Sequence, residues 1–131
     1  MNEILFQNDK HREFYLRHTE NSSDIYLRTL VYLLGLTADT RANFSRCFDA
    51  KSRIIKPEAL GEGWQTGGTM RIVRMAFNLW NGWCYETPED ADEDRTSAAF
   101  TPDELFCCEF APFFFEAIKL RYPEYTGTSQ K

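Results

Sequence analysis

The segment Met70–Trp83, MRIVRMAFNLWNGW, constrains the fold of this chain more than any other stretch. Only Arg71, Arg74, Asn78 and Asn81 break its apolar run, at spacings of three, four and three. At about 100° per residue these side chains fall in a stripe roughly 80° wide. A helix that is apolar on every other side belongs at a domain centre. The pattern therefore predicts a central helix over about 70–82, ended by Gly82. Its polar stripe must pair with buried acids, line a wet cleft or face a partner.

The flanking sequence reads as further helices, with no convincing alternating strand. Asn8 or Asp9 caps a first helix to about His18, and Ser23 or Asp24 a second, DIYLRTLVYLLG, stopped by Gly35. Thr37 caps a third, to about Phe48, after a tight joint. Lys51–Gln65 is less regular, with Pro57 suited to the first turn of a short helix, IKPEAL. The glycine-rich stretch Gly61–Thr69 approaches the central helix. Thr101, with Pro102 and Glu104 in capping-box positions, opens a last helix to about Arg121. Pro112 lies inside it and kinks or splits it near Phe110. The expectation is all-α: a single compact domain of five or six helices over 1–125, with a flexible tail at 126–131. A 131-residue chain buries roughly two-thirds of the surface that it exposes when unfolded.

The formal net charge is −5, unevenly placed. Glu86, Glu89, Asp90, Asp92, Glu93 and Asp94 contribute −6 within nine residues, leaving +1 for all other residues. Acidity is thus a property of one loop, 86–99, and overall charge says little about partners. Ten of the fifteen basic residues are Arg, which suits paired or partly buried cations. The opening MNEILFQNDK lacks the apolar stretch of a signal peptide, and no apolar run approaches a membrane span. A cytoplasmic location is expected, with Cys47, Cys84, Cys107 and Cys108 as free thiols.

Each motif has a simpler competing reading. The glycine-rich approach, followed by Arg71 and Arg74, suggests an anion site at a helix N-terminus. It lacks a Walker or dinucleotide pattern, and a turn delivering Trp64 to the core explains it as well. Arg71, Arg74, Asn78 and Asn81 suit a polar cleft for a phosphate, a carboxylate or a base edge. The favoured alternative is a buried network closing on Glu104, Glu109 or Glu116. Asp90, Asp92 and Asp94 alternate like the start of a calcium loop, but Arg95 and Thr101 stand where Gly and Glu are required. A solvated acidic loop, or a mimic of nucleic-acid charge, fits better. Cys107 and Cys108 are adjacent, not a CxxC knuckle, and read as inert thiols. His11 and His18 are seven apart, too far for a metalloprotease pair. No metal or other cofactor is implied. Phe110, Phe113, Phe114 and Phe115 read chiefly as core, any exposed remainder marking a contact site.

Several phrases occur together in order: Tyr32-Leu33-Leu34-Gly35-Leu36-Thr37 with Thr40-Arg41, Gly63-Trp64-Gln65-Thr66-Gly67, Ala76-Phe77-Asn78-Leu79-Trp80-Asn81-Gly82, Glu104-Leu105-Phe106-Cys107-Cys108, Ala111-Pro112 and Glu116 through Pro123. They resemble an uncharacterised domain-of-unknown-function family of Firmicutes, often carried on mobile elements. The resemblance spans nearly the whole chain and implies a small bacterial or phage protein. It brings no activity, cofactor or catalytic residue.

Three functions are weighed. The leading one is a non-enzymatic interaction protein binding another protein through Glu89, Asp90, Asp92, Glu93 and Asp94. Its partner would be a basic, nucleic-acid-handling component of host defence, which it inhibits. A second copy of the chain is a further candidate partner. The alternative is a small-ligand or nucleic-acid-binding domain using Arg71 and Arg74. Last comes an enzyme with a carboxylate beside His11 or His18.

Overall fold

The computed structural model describes residues 3–127; the expected tail positions 128–131 lie outside the described residues. Local chemistry sets most helix starts. Asn8 accepts the His11 amide and opens α1 (Asp9–Thr19). Asp24 accepts the Tyr26 and Leu27 amides and opens α2 (Ile25–Leu34). Thr37 and Thr40 exchange side-chain and backbone bonds in a capping box opening α3 (Ala38–Ala42).

The expected third helix is broken at Asn43, beyond which α4 (Phe44–Cys47) leads into a small hairpin. Its strands β1 (Phe48–Asp49) and β2 (Ile54–Ile55) are antiparallel, with Phe48 opposite Ile55 and Asp49 opposite Ile54. Asp49 accepts the Lys51 and Ser52 amides, the side-chain turn that favours Asp here. IKPEAL forms a 3₁₀ turn, Pro57–Gly61, as Pro57 foreshadowed.

The central helix, α5 (Gly67–Asn81), starts three residues earlier than the apolar pattern indicates. Thr66 accepts the Thr69 amide at 3.1 Å, and the Thr66 amide donates to Thr69 Oγ1 at 2.7 Å. This second capping box tolerates two glycines in the first turn. Gly82, at φ 82°, closes the helix in the left-handed conformation and donates its amide to Asn78 O at 2.8 Å.

The acidic stretch is not a plain loop. Thr87 caps α6 (Pro88–Asp92), and a 3₁₀ turn follows at Ala98–Phe100. The last helix is split near Phe110, one of the two outcomes expected from Pro112, into α7 (Pro102–Leu105) and α8 (Ala111–Arg121). Pro112 sits in the first turn of α8, where its missing N–H costs nothing, so it starts a helix instead of bending one. The Thr101 capping box does not form; Thr101 Oγ1 donates to Ala98 O.

The fold is all-α apart from the hairpin, and its centre is a pair, not one helix. The most extensive helix packing is of α5 on α2, and α2 also carries α1 and α8. Leu30 to Leu34 are all at or below 1% exposure, matching Ile72, Val73, Ala76 and Phe77 of α5. Burial of each such aliphatic or aromatic side chain stabilises by about 1.5–3 kcal/mol. Glycine is required at Gly35, the C-cap of α2, for a steric reason. Its φ is −84°, but a Cβ there would lie 2.8 Å from the Phe14 ring and 3.1 Å from that of His11. Among the described residues, no helix is long and apolar enough to cross a membrane.

Candidate functional site

The polar stripe of α5 splits into two parts. Arg74 is nearly enclosed, its side chain 16% exposed. Its Nη2 pairs with Glu86 Oε1 at 3.1 Å, and its guanidinium lies over the Phe100 ring. Glu86 Oε2 accepts Ser97 Oγ at 2.6 Å, and the Ser97 amide donates to Cys84 O. Arg74 thus pins both ends of the acidic segment to α5. Asn78 Nδ2 donates to Trp83 O, and Asn81 Oδ1 accepts the Trp83 amide, securing the chain reversal after Gly82. The stripe does close in part on a carboxylate, but on Glu86 and not on the last helix. Glu116 is taken by the Leu5 amide and Lys119.

Arg71 points elsewhere. Its Nε donates to Glu104 O at 3.1 Å and its Nη1 approaches Gly67 O at 3.5 Å, both main-chain carbonyls. No carboxylate pairs with it among the described residues. The guanidinium lines an open cleft of about 520 Å³ where α3, α5 and the turn before α8 meet. Thr37 and Asp39 form one side, Thr66, Gly68 and Thr69 the floor, and Cys108, Glu109 and Phe110 the other side. Gly68 permits this closeness, since a Cβ there would stand 3.2 Å from the Phe110 ring. A hydrogen-bond chain holds the floor rigid: Thr69 Oγ1 donates to Gln65 Oε1 at 2.7 Å, and Gln65 Nε2 to Ala59 O at 3.0 Å. Gln65 and Thr69 therefore brace this floor, and Asp39 and Glu109 are the acids of the lining.

The acidic segment is largely self-satisfied. Arg95 Nη2 pairs with Asp90 at 2.9 Å and Arg95 Nη1 with Glu93. Asp94 accepts Tyr85 Oη, raising the Tyr85 hydroxyl pKa above its usual range. Of the six acids, Glu89 and Asp92 have no hydrogen-bonding or ion-pair partner among the described residues. They are three apart on α6, on one face of a single turn. No cluster of three His, Cys, Asp or Glu side chains is gathered for a metal among the described residues.

The histidines are packed rather than presented. His11 is fully buried. Its Nδ1 accepts the Gln7 amide at 3.1 Å, so Nε2 carries the proton and donates to Tyr32 O at 2.7 Å. His18 stacks on Phe14 and Phe44. Among the described residues, neither ring is bonded to a carboxylate. The four cysteines are free, and burial pushes the Cys47 thiol up to about 12. Among the eleven Phe, only Phe115 is strongly exposed, so the phenylalanines are mainly core, whereas Tyr26, Tyr122 and Tyr125 are exposed.

Residues 1–131 match throughout the profile of a family of unknown function, DUF6075. The chain belongs to that family. Neither a curated protein nor a solved structure matches it. Membership in DUF6075 therefore carries no chemistry of its own. The sequence drew attention to Arg71 and, as an ion-pair partner, to Glu109. Asp39, Gln65 and the Thr66–Thr69 box carried no signal of a shared site, since they converge only through tertiary packing.

Proposed function

We propose that the chain is a binding domain for a small anionic or partly anionic ligand, with the Arg71 cleft as its site. The supporting observation is the contrast between two arginines one turn apart. Arg74 is spent on Glu86, whereas Arg71 is steadied by two carbonyls and keeps donors free toward a cleft. A fork-shaped donor held in place loses little entropy on meeting a carboxylate or phosphate. The cleft volume falls in the range of small-molecule sites. Asp39 and Glu109 argue against a nucleic-acid backbone, whose successive phosphates they would repel. Backbone amide NMR with a panel of small ionic metabolites tests the reading. Perturbations are expected at 66–71 and 108–110, and Arg71→Gln should weaken binding by about tenfold or more. Equal shifts in the variant, or none in those segments, would remove the cleft as the site.

A second reading rests on Glu89 and Asp92, the unpaired acids of α6. They support contact with a basic protein partner, in the form of a mobile-element inhibitor of a nucleic-acid-handling defence component. Glu89→Gln with Asp92→Asn should weaken that contact roughly fivefold and flatten its salt dependence. Asp90, Glu93 and Asp94 make poor test positions, because their substitution also disturbs the segment. Unchanged affinity in the double variant rules the face out.

A further inference from the structure

The cleft is not simply cationic. Its lining holds one arginine, Arg71, and two acids, Asp39 and Glu109, whose carboxylates have no ion-pair or hydrogen-bonding partner among the described residues. A bare anion would meet one attraction and two repulsions. A bare amine would meet two attractions and one repulsion. A molecule bearing both charges satisfies all three walls, and the side-chain sum of −1 favours a ligand that carries a cation beside its anion. The charges come from three separate elements, α3, α5 and the turn before α8, so opposite ends of one ligand can be held at once.

We infer that the ligand of this cleft is a small zwitterion: a carboxylate or phosphate for Arg71 joined to a protonated amine for Asp39 and Glu109. The inference rests on the cleft being the binding site. Its lining also suits the short apolar linker of such a molecule, since it includes Phe110 and Cys108. The floor at Thr66 and Thr69, braced by Gln65, and the two carbonyls that hold Arg71 are set before the ligand arrives.

Calorimetric titration of the full chain with five probes tests this: inorganic phosphate, acetate, ethanolamine, O-phosphoethanolamine and 4-aminobutyrate. One of the two zwitterions is expected to bind at least about tenfold tighter than either of its halves. Asp39→Asn with Glu109→Gln should erase that advantage while leaving phosphate or acetate binding intact or improved. Both carboxylates are exposed, so the variant should keep the parent melting temperature, which checks its fold. Phosphate, acetate or ethanolamine binding as tightly as the zwitterions would overturn the inference while leaving the cleft as a site. If no probe binds, the inference falls, and if Arg71→Gln also leaves the NMR titration unchanged, the reading of the cleft falls with it.

Discussion

Acidification from pH 6.5 to 4 should remove about 3 kcal/mol of folding stability through one side chain, His11. Burial lowers its pKa to about 4, only partly opposed by the bond to Tyr32 O, and Arg41 lowers it further. In the folded state the ring is therefore neutral across most of this window, whereas in the unfolded chain it takes a proton near pH 6.5. The unfolded state binds more protons between the two values, so stability rises with pH there. It is complete above the upper value and levels off below the lower one. The geometry explains the cost. A protonated Nδ1 would direct a second N–H at the Gln7 amide, among Phe6, Tyr32 and Phe113. Urea unfolding of the parent and of His11→Gln across pH 7 to 4 measures this. The variant should be less stable at pH 7 and show a shallower loss on acidification. His18, whose pKa is lowered by burial and by Arg17, adds a loss of the same sign that persists in the variant. Identical slopes in the two proteins would show that His11 is not the titrating group.

Glu86→Ala should cost about 2 kcal/mol and free the segment from Cys84 to Ser97. Arg74 would be left nearly enclosed without its carboxylate, and its Nε already has no acceptor. The Glu86 side chain is 39% exposed, so solvent screening holds the effect below that of a fully buried pair. Loss of the Ser97 bond removes the second anchor of the same segment. Amide exchange at 86–97 should accelerate roughly tenfold or more, ahead of the rest of the chain. Replacing Arg74 by Met together with Glu86→Ala should recover part of the stability, because no stranded cation remains. Additive losses in the two single variants and the double would mean that the pair is not coupled.

Helices marked by apolar periodicity and a single capping residue were legible from the chain: α1 from Asn8, α2 from Asp24 and the body of α5 all follow that logic. The start of α5 was obscured because Gly67 and Gly68 are poor helix formers, and only the reciprocal Thr66–Thr69 bonds outweigh them. The break at Asn43 has no glycine or proline of its own to announce it, whereas Pro112 marked the split ahead of α8. The hairpin strands have two residues each, too few for alternation to register. At the site, spacing on α5 revealed a polar stripe but not its division between a locked Arg74 and an available Arg71. That division depends on Glu86, twelve residues away, folding back. Arg95 was read only as a missing calcium-loop glycine, yet it is the local counter-charge to Asp90 and Glu93.

The three tryptophans bracket α5. Trp64 stands two residues before its capping Thr66, while Trp80 and Trp83 flank its far end, Trp80 edge-on to Phe48 and Trp83 to Tyr85. All three are half-buried. The molecule thus carries intrinsic fluorophores at both poles of its main axis. Emission from a Trp80→Phe, Trp83→Phe protein would follow the cleft end alone, and emission from a Trp64→Phe protein the opposite end, with no dye attached.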